Sequence, residues 1–192
     1  FGPWALSRLC RETGGIYFIM QDNSAKTYDP STLRAYQPDY VPRKEYERLL
    51  GASPIRQAVL KAADMTSKGP QQIPGIPYDF PADTAALNRA MGDGQAVMAK
   101  IQYFIDPVYK EIVAAEKDRD KEQSRRWRAE YDLLLGRLLA ARVRTHTYNS
   151  MCAQMKKKPK EFEKPESNAW SLRPDSNVPT DTVAGPKLAD AA

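Results

Sequence analysis

The stretch nearest to a metal-binding pattern in this chain is Asp22-Asn23-Ser24-Ala25-Lys26. An Asp-x-Ser-x-Ser loop holds a divalent cation with hard oxygens from its first, third and fifth positions. Here the fifth position is Lys26, and an ammonium repels a cation where a ligand oxygen should attract it. No second acidic loop can be assigned to the same place, so the reading is a solvated turn. The carboxylates Glu111, Glu116, Asp118, Asp120 and Glu122 alternate with Lys110, Lys117, Arg119 and Lys121. That mixture predicts ion pairing on a wet helical face, whereas a catalytic carboxylate pair needs a pocket that excludes water. His146 is the single histidine, so the chain alone builds no multi-histidine metal site. Ser7, Ser24 and Ser53 lack the Gly-x-Ser-x-Gly setting of a nucleophile elbow. Cys10 and Cys152, far apart in the chain, read as two small buried thiols, with a disulfide between them as the alternative. The catalytic, cofactor-binding and metal-ligand sets expected from these residues are all empty, and the expectation is no enzyme.

Lys156 to Lys160, with Arg142 and Arg144 nearby, could meet phosphate. The same lysines suit the negative end of a helix, and Glu161, Glu163 and Glu166 come directly after them. With 29 basic against 24 acidic residues the net charge is only +5, which falls short of a nucleic-acid footprint. No apolar run approaches the roughly 20 residues that span a bilayer, and nothing in the residues fixes a compartment.

The elements that would carry these groups are mostly helical. Leu6, Leu9 and Cys10 share a helical face, so Pro3–Glu12 reads as a short helix ended by Gly14 and Gly15. Ile16–Met20 is a continuous apolar run of the kind found in a strand buried on both faces of a parallel sheet. One strand is no sheet, and its partners are expected upstream of Phe1. Asp29-Pro30 starts a turn of helix, and Pro38 and Pro42 break the chain after it. Helices are expected from Arg43 to Leu50, stopped at Gly51, and from Ser53-Pro54 to about Thr66. Residues 68–81 hold four prolines and two glycines and read as a linker.

Beyond the linker the apolar spacing alternates between three and four. The first series is Leu87, Met91, Met98, Ile101, Ile105, Val108, Ile112 and Ala115, with Gly94 as the missing member. The second is Trp127, Tyr131, Leu134, Leu138, Ala141, Thr145, Tyr148, Cys152 and Met155. Each is the seam of a helix that packs lengthwise against another. The charged stretch Glu116–Arg126 between them, with Ser124 as a fresh N-cap, predicts a reversal and a long antiparallel helical hairpin; one uninterrupted helix is the alternative. Pro107 predicts a kink or break near Asp106. His146 falls one place off the seam, at its rim. Leu133 and Leu135 widen the second helix's apolar face beyond what a two-helix seam covers, which leaves surface for another body. A charge at Leu134 or Ile105 should unfold or undock the pair. The tail after Lys158 reads as irregular, with Trp170 and Leu172 as its docking point.

Trp4-Ala5-Leu6-Ser7-Arg8-Leu9-Cys10-Arg11-Glu12-Thr13-Gly14-Gly15-Ile16-Tyr17-Phe18 resembles the last helix–strand unit of von Willebrand factor A (VWA) domains. Tyr36–Tyr40, Glu116–Trp127, Tyr148-Asn149 and Trp170–Pro174 resemble the region after that domain in a group of uncharacterised bacterial A-domain proteins. The resemblance implies a Rossmann-like sheet upstream, a binding or adhesion role, and a magnesium-type site whose ligands come from earlier loops. No residue here takes over a ligand role.

The resulting expectation is a mainly α chain. Residues 1–40 would be the remnant of a VWA-like α/β domain, 41–67 a helical connector, 68–81 the linker, 82–158 the coiled-coil-like hairpin and 159–192 the tail. The expected role is non-catalytic protein–protein interaction or scaffolding, with a protein partner or the upstream domain. Two alternatives are a basic module for polyanions or nucleic acid, and an accessory region of an enzyme whose site lies upstream.

Overall fold

The computed structural model describes Arg8, Cys10 and residues 29–69, 75–162 and 164–173. They are mainly helical, with one small antiparallel sheet. Two compact units are present, residues 1–36 and 37–192.

In the first unit Arg8 and Cys10 are helical. The expected strand Ile16–Met20 and the Asp22–Lys26 loop lie outside the described residues. Helix α1 (Pro30–Arg34) is a single turn whose N-cap Asp29 accepts from the Thr32 N–H at 3.0 Å, the Thr32 hydroxyl at 2.9 Å and the Ser31 hydroxyl. Those hydroxyl donors, followed by the backbone N–H groups, hold the Asp29 carboxyl down at about 2. The cap is the one its sequence announces.

The second unit starts with α2 (Arg43–Ala52) and α3 (Pro54–Ser67). The chain does not stop at Gly51 but at Ser53, whose extended backbone ends α2 and whose hydroxyl caps α3 by accepting from the Arg56 N–H at 3.4 Å. Strand β1 (Asp79–Pro81) precedes α4 (Thr84–Ala114), capped by Asp83. A 3₁₀ segment, Glu116–Lys121, leads to α5 (Arg125–Lys157). Residues 122–124 are not helical, so the alternative of one uninterrupted helix is ruled out. Helix α4 continues through Pro107 without a break. The proline removes one N–H, and the carbonyl left without it belongs to Tyr103, a residue 74% exposed, where water can replace the lost bond.

The core has two parts, and both are built across α4 and α5. Ile55, Ala58 and Ala62 of α3 meet Val108 and Ile112 at the end of α4, and Tyr131 and Leu138 near the start of α5. Leu87, Met91 and Met98, early in α4, meet Tyr148, Cys152 and Met155, late in α5, with Phe80 of β1. Every member of both apolar series is buried or half-buried. Burying one such side chain contributes about 1.5–3 kcal/mol, so lengthwise packing of α4 on α5 dominates the unit's stability. Polar contacts obey the same order: Tyr131 donates to the Ile112 carbonyl at 3.0 Å and Gln95 donates to the Asn149 carbonyl at 3.1 Å.

The tail corrects the sequence reading. Ala169–Ser171 forms strand β2, paired with β1 in the register Phe80 opposite Trp170. Residues 79–81, expected as the end of a linker, are its partner. Trp170 stacks on Phe162 with ring centroids 4.1 Å apart, and Trp170 and Leu172 pack on the second core cluster, so the docking point is where the sequence suggested. Residues 174–192 lie outside the described residues.

Candidate interaction surface

The run read as a wet, ion-paired face divides in two. Lys121 pairs with Asp118 at 2.7 Å, and Arg119 reaches Asp120 at 2.9 Å and Asp132 at 2.5 Å, all near the surface. Glu122 does not belong to that face. It is buried, and so is its partner Arg56 on α3. The Arg56 guanidinium grips it with Nε to Oε2 at 2.9 Å and Nη2 to Oε1 at 2.9 Å. Ser53 donates to Oε2 at 2.5 Å and the Ser124 N–H to Oε1 at 2.9 Å. The remaining guanidinium nitrogen reaches Asp39 at 2.8 Å, and the Trp127 ring lies 5.5 Å from the guanidinium carbon.

Burial by itself would push the Glu122 carboxyl up, but Arg56, Ser53 and the Ser124 N–H outweigh it and bring it to about 2. Glu122 is therefore ionised at neutral pH and its oxygens are fully engaged. It has no capacity to take a substrate proton; the junction fastens α3 to the segment between α4 and α5. Sequence reasoning missed it because the partners stand 66 residues apart. The local clue is faint: a carboxylate two places before the N-cap Ser124, whose own hydroxyl makes no cap bond.

The other sequence candidates remain dispersed. Cys152 is buried and Cys10 half-buried, both as free thiols; burial holds the Cys152 thiol above its ordinary range. His146 is half-buried at the rim of the seam. Arg142 is committed to Asp106 at 3.3 Å and lies 4.0 Å from the centre of the Tyr109 ring, so it does not extend the Lys156–Lys160 run. Lys156 itself donates to Gln95 at 3.1 Å. Among the described residues no group of three or more His, Cys, Asp or Glu is placed to hold a metal ion. No helix among them is long and apolar enough to cross a membrane.

What the second unit does present is an open groove between α3 and α5. Val59, Ala62, Ala63 and Thr66 form one wall, and Glu130, Leu133, Leu134 and Arg137 the other. Its volume of about 220 Å³ is below the roughly 300–1,000 Å³ of small-molecule sites. Leu133 stands on its edge at 53% exposure, and Leu60, next to Val59 on α3, is 40% exposed. The spare apolar surface expected of Leu133 is thus real, whereas Leu135 packs against the first core cluster and is half-buried. A shallow apolar groove with one protruding leucine and charged flanks can accept a side chain from another protein surface. Comparisons of this chain with protein-family models, with curated proteins and with solved structures give no match.

Proposed function

We propose that this chain is a non-catalytic interaction or scaffolding region that lies C-terminal to a VWA-like domain, with α4 and α5 working as an antiparallel hairpin arm. The observation that carries the interaction role is the α3–α5 groove, where Leu133 is left exposed beside Val59, Ala63 and Leu134. The VWA connection is supported by the resemblance of Trp4–Phe18 to the last helix–strand unit of such domains, together with that of Tyr36–Tyr40, Glu116–Trp127, Tyr148-Asn149 and Trp170–Pro174 to the region after it. A non-catalytic role is supported by the chemistry of Glu122, the one buried carboxylate among the described residues, whose donors saturate it.

The test is a photo-crosslinking amino acid at position 133 of the chain in its native cells, with exposed Gln123 as the control position. A discrete adduct from 133, absent from 123 and abolished by Ala63→Glu in the groove, is the expected result. No adduct from 133 would overturn the reading.

A further inference from the structure

We infer that the occupant of the α3–α5 groove is the same groove of a second copy of this chain, in a two-fold symmetric pair. This rests on the interaction reading above and adds the partner to it. Glu130, Leu133, Leu134 and Arg137 stand at i, i+3, i+4 and i+7 on α5, so they share one face of the helix. That face is charge-complementary to itself. When two copies of α5 run antiparallel about an axis midway between Leu133 and Leu134, Glu130 of each copy meets Arg137 of the other. Leu133 of each then lies over Leu134 of the other, at the mouth of the groove walled by Val59 and Ala63. The reversed order of the charges turns one patch into both halves of an isologous interface.

The observed state of the charges agrees with this use. Glu130 and Arg137 are exposed, and neither has a salt-bridge or hydrogen-bond partner among the described residues. By contrast, their α5 neighbour Asp132 is held by Arg119. Gly136, exposed on the same helix, has nothing within 4 Å of a built Cβ and puts no bulk in the way of a second helix. A parallel pairing would set Glu130 against Glu130 and Arg137 against Arg137, which costs affinity and fixes the direction.

Sedimentation velocity of the full chain over a concentration series tests this. The expected result is a reversible monomer–dimer equilibrium. Glu130→Arg and Arg137→Glu should each weaken it by about tenfold or more, because each reversal places two like-charged pairs in a symmetric interface. The double variant Glu130→Arg/Arg137→Glu should dimerise again. All four residues are on the surface or its edge, and circular dichroism of each variant reports whether the helices are intact. A chain that stays monomeric at every concentration, or a dimer indifferent to the charge reversals, overturns the inference. An adduct from position 133 with a different protein also overturns it while leaving the interaction reading standing.

Discussion

The Tyr148 hydroxyl occupies the place where a side chain at Gly94 would begin. A Cβ built on Gly94 lands on that hydroxyl and 3.2 Å from Cγ of Pro77, while the hydroxyl donates to the Pro77 carbonyl at 2.8 Å. The gap in the first apolar series is therefore an opening through which Tyr148 of α5 reaches the segment before β1. Gly94→Ala should destabilise the protein by about 1–3 kcal/mol through overpacking, despite the gain of about 1 kcal/mol in helix propensity. Tyr148→Phe should cost about 1 kcal/mol for the lost hydrogen bond. In the Tyr148→Phe background the alanine should cost distinctly less, because the colliding oxygen is gone. Chemical denaturation of the four proteins measures this coupling, and additive costs would refute the spatial conflict.

Breaking the Arg56–Glu122 pair from one side leaves a buried charge without its partner. Arg56→Met or Glu122→Leu should each lower stability by about 3–5 kcal/mol. The double replacement should recover a large part of that loss, since two apolar side chains need no counter-charge. Ser53→Ala should cost less, about 1 kcal/mol. Equilibrium unfolding of the single and double variants checks the pattern. A double variant as unstable as the sum of its parts would show that the pair does more than satisfy itself.

What the sequence discloses about this fold is what depends on neighbours in the chain. Ser53-Pro54 announces a helix start locally, and the three-and-four spacing from Leu87 and from Trp127 marks which faces of α4 and α5 turn inward. The groove is half legible: Leu133 shows as apolar excess on α5, but its wall of Val59 and Ala63 comes from a helix more than 60 residues earlier. The buried Glu122 is hidden among charges of the same type, and its distant partners Arg56 and Ser53 set it apart. Strands β1 and β2 are three residues each, too short to show alternation, and Pro81 disguises the first. Pro107 shows in the sequence as a candidate break, but the helix runs on through it.

Trp170 packs on the second core cluster beside Leu172, and its ring stacks on Phe162 earlier in the tail. Such a pair adds about 0.5–1.5 kcal/mol to the apolar area it buries. Because β2 is only three residues long, the Trp170 ring is a large part of what docks the tail, beside Leu172 and the β1–β2 pairing. Trp170→Ala should release it while α4 and α5 remain folded. Limited tryptic digestion should then cut after Lys157 and Lys160 much faster than in the wild type, with little change in helical circular dichroism. Unchanged digestion would show that the strand pairing holds without the stack.

Stability should be greatest between about pH 5 and pH 9, bounded on each side by an identified buried group. On the acid side, Glu122 is at about 2 in the folded protein against an ordinary 4.5. Its pKa is lowered on folding, so its contribution is complete above 4.5 and is lost as the pH falls toward 2. That contribution is on the order of 3 kcal/mol. On the alkaline side, burial first, then the charges of Glu116 and Asp132, push Tyr131 from 10.0 up to about 12. Tyr148 is raised as well, chiefly by burial. A pKa raised on folding gives stability that is whole below the unfolded value near 10 and fades as the pH climbs past it. Thermal melts across this range should trace a plateau with two falling edges. The Glu122→Leu/Arg56→Met variant should flatten the acid edge alone, and Tyr131→Phe should soften the alkaline edge alone. An acid edge unchanged in the double variant would mean that Glu122 does not set it.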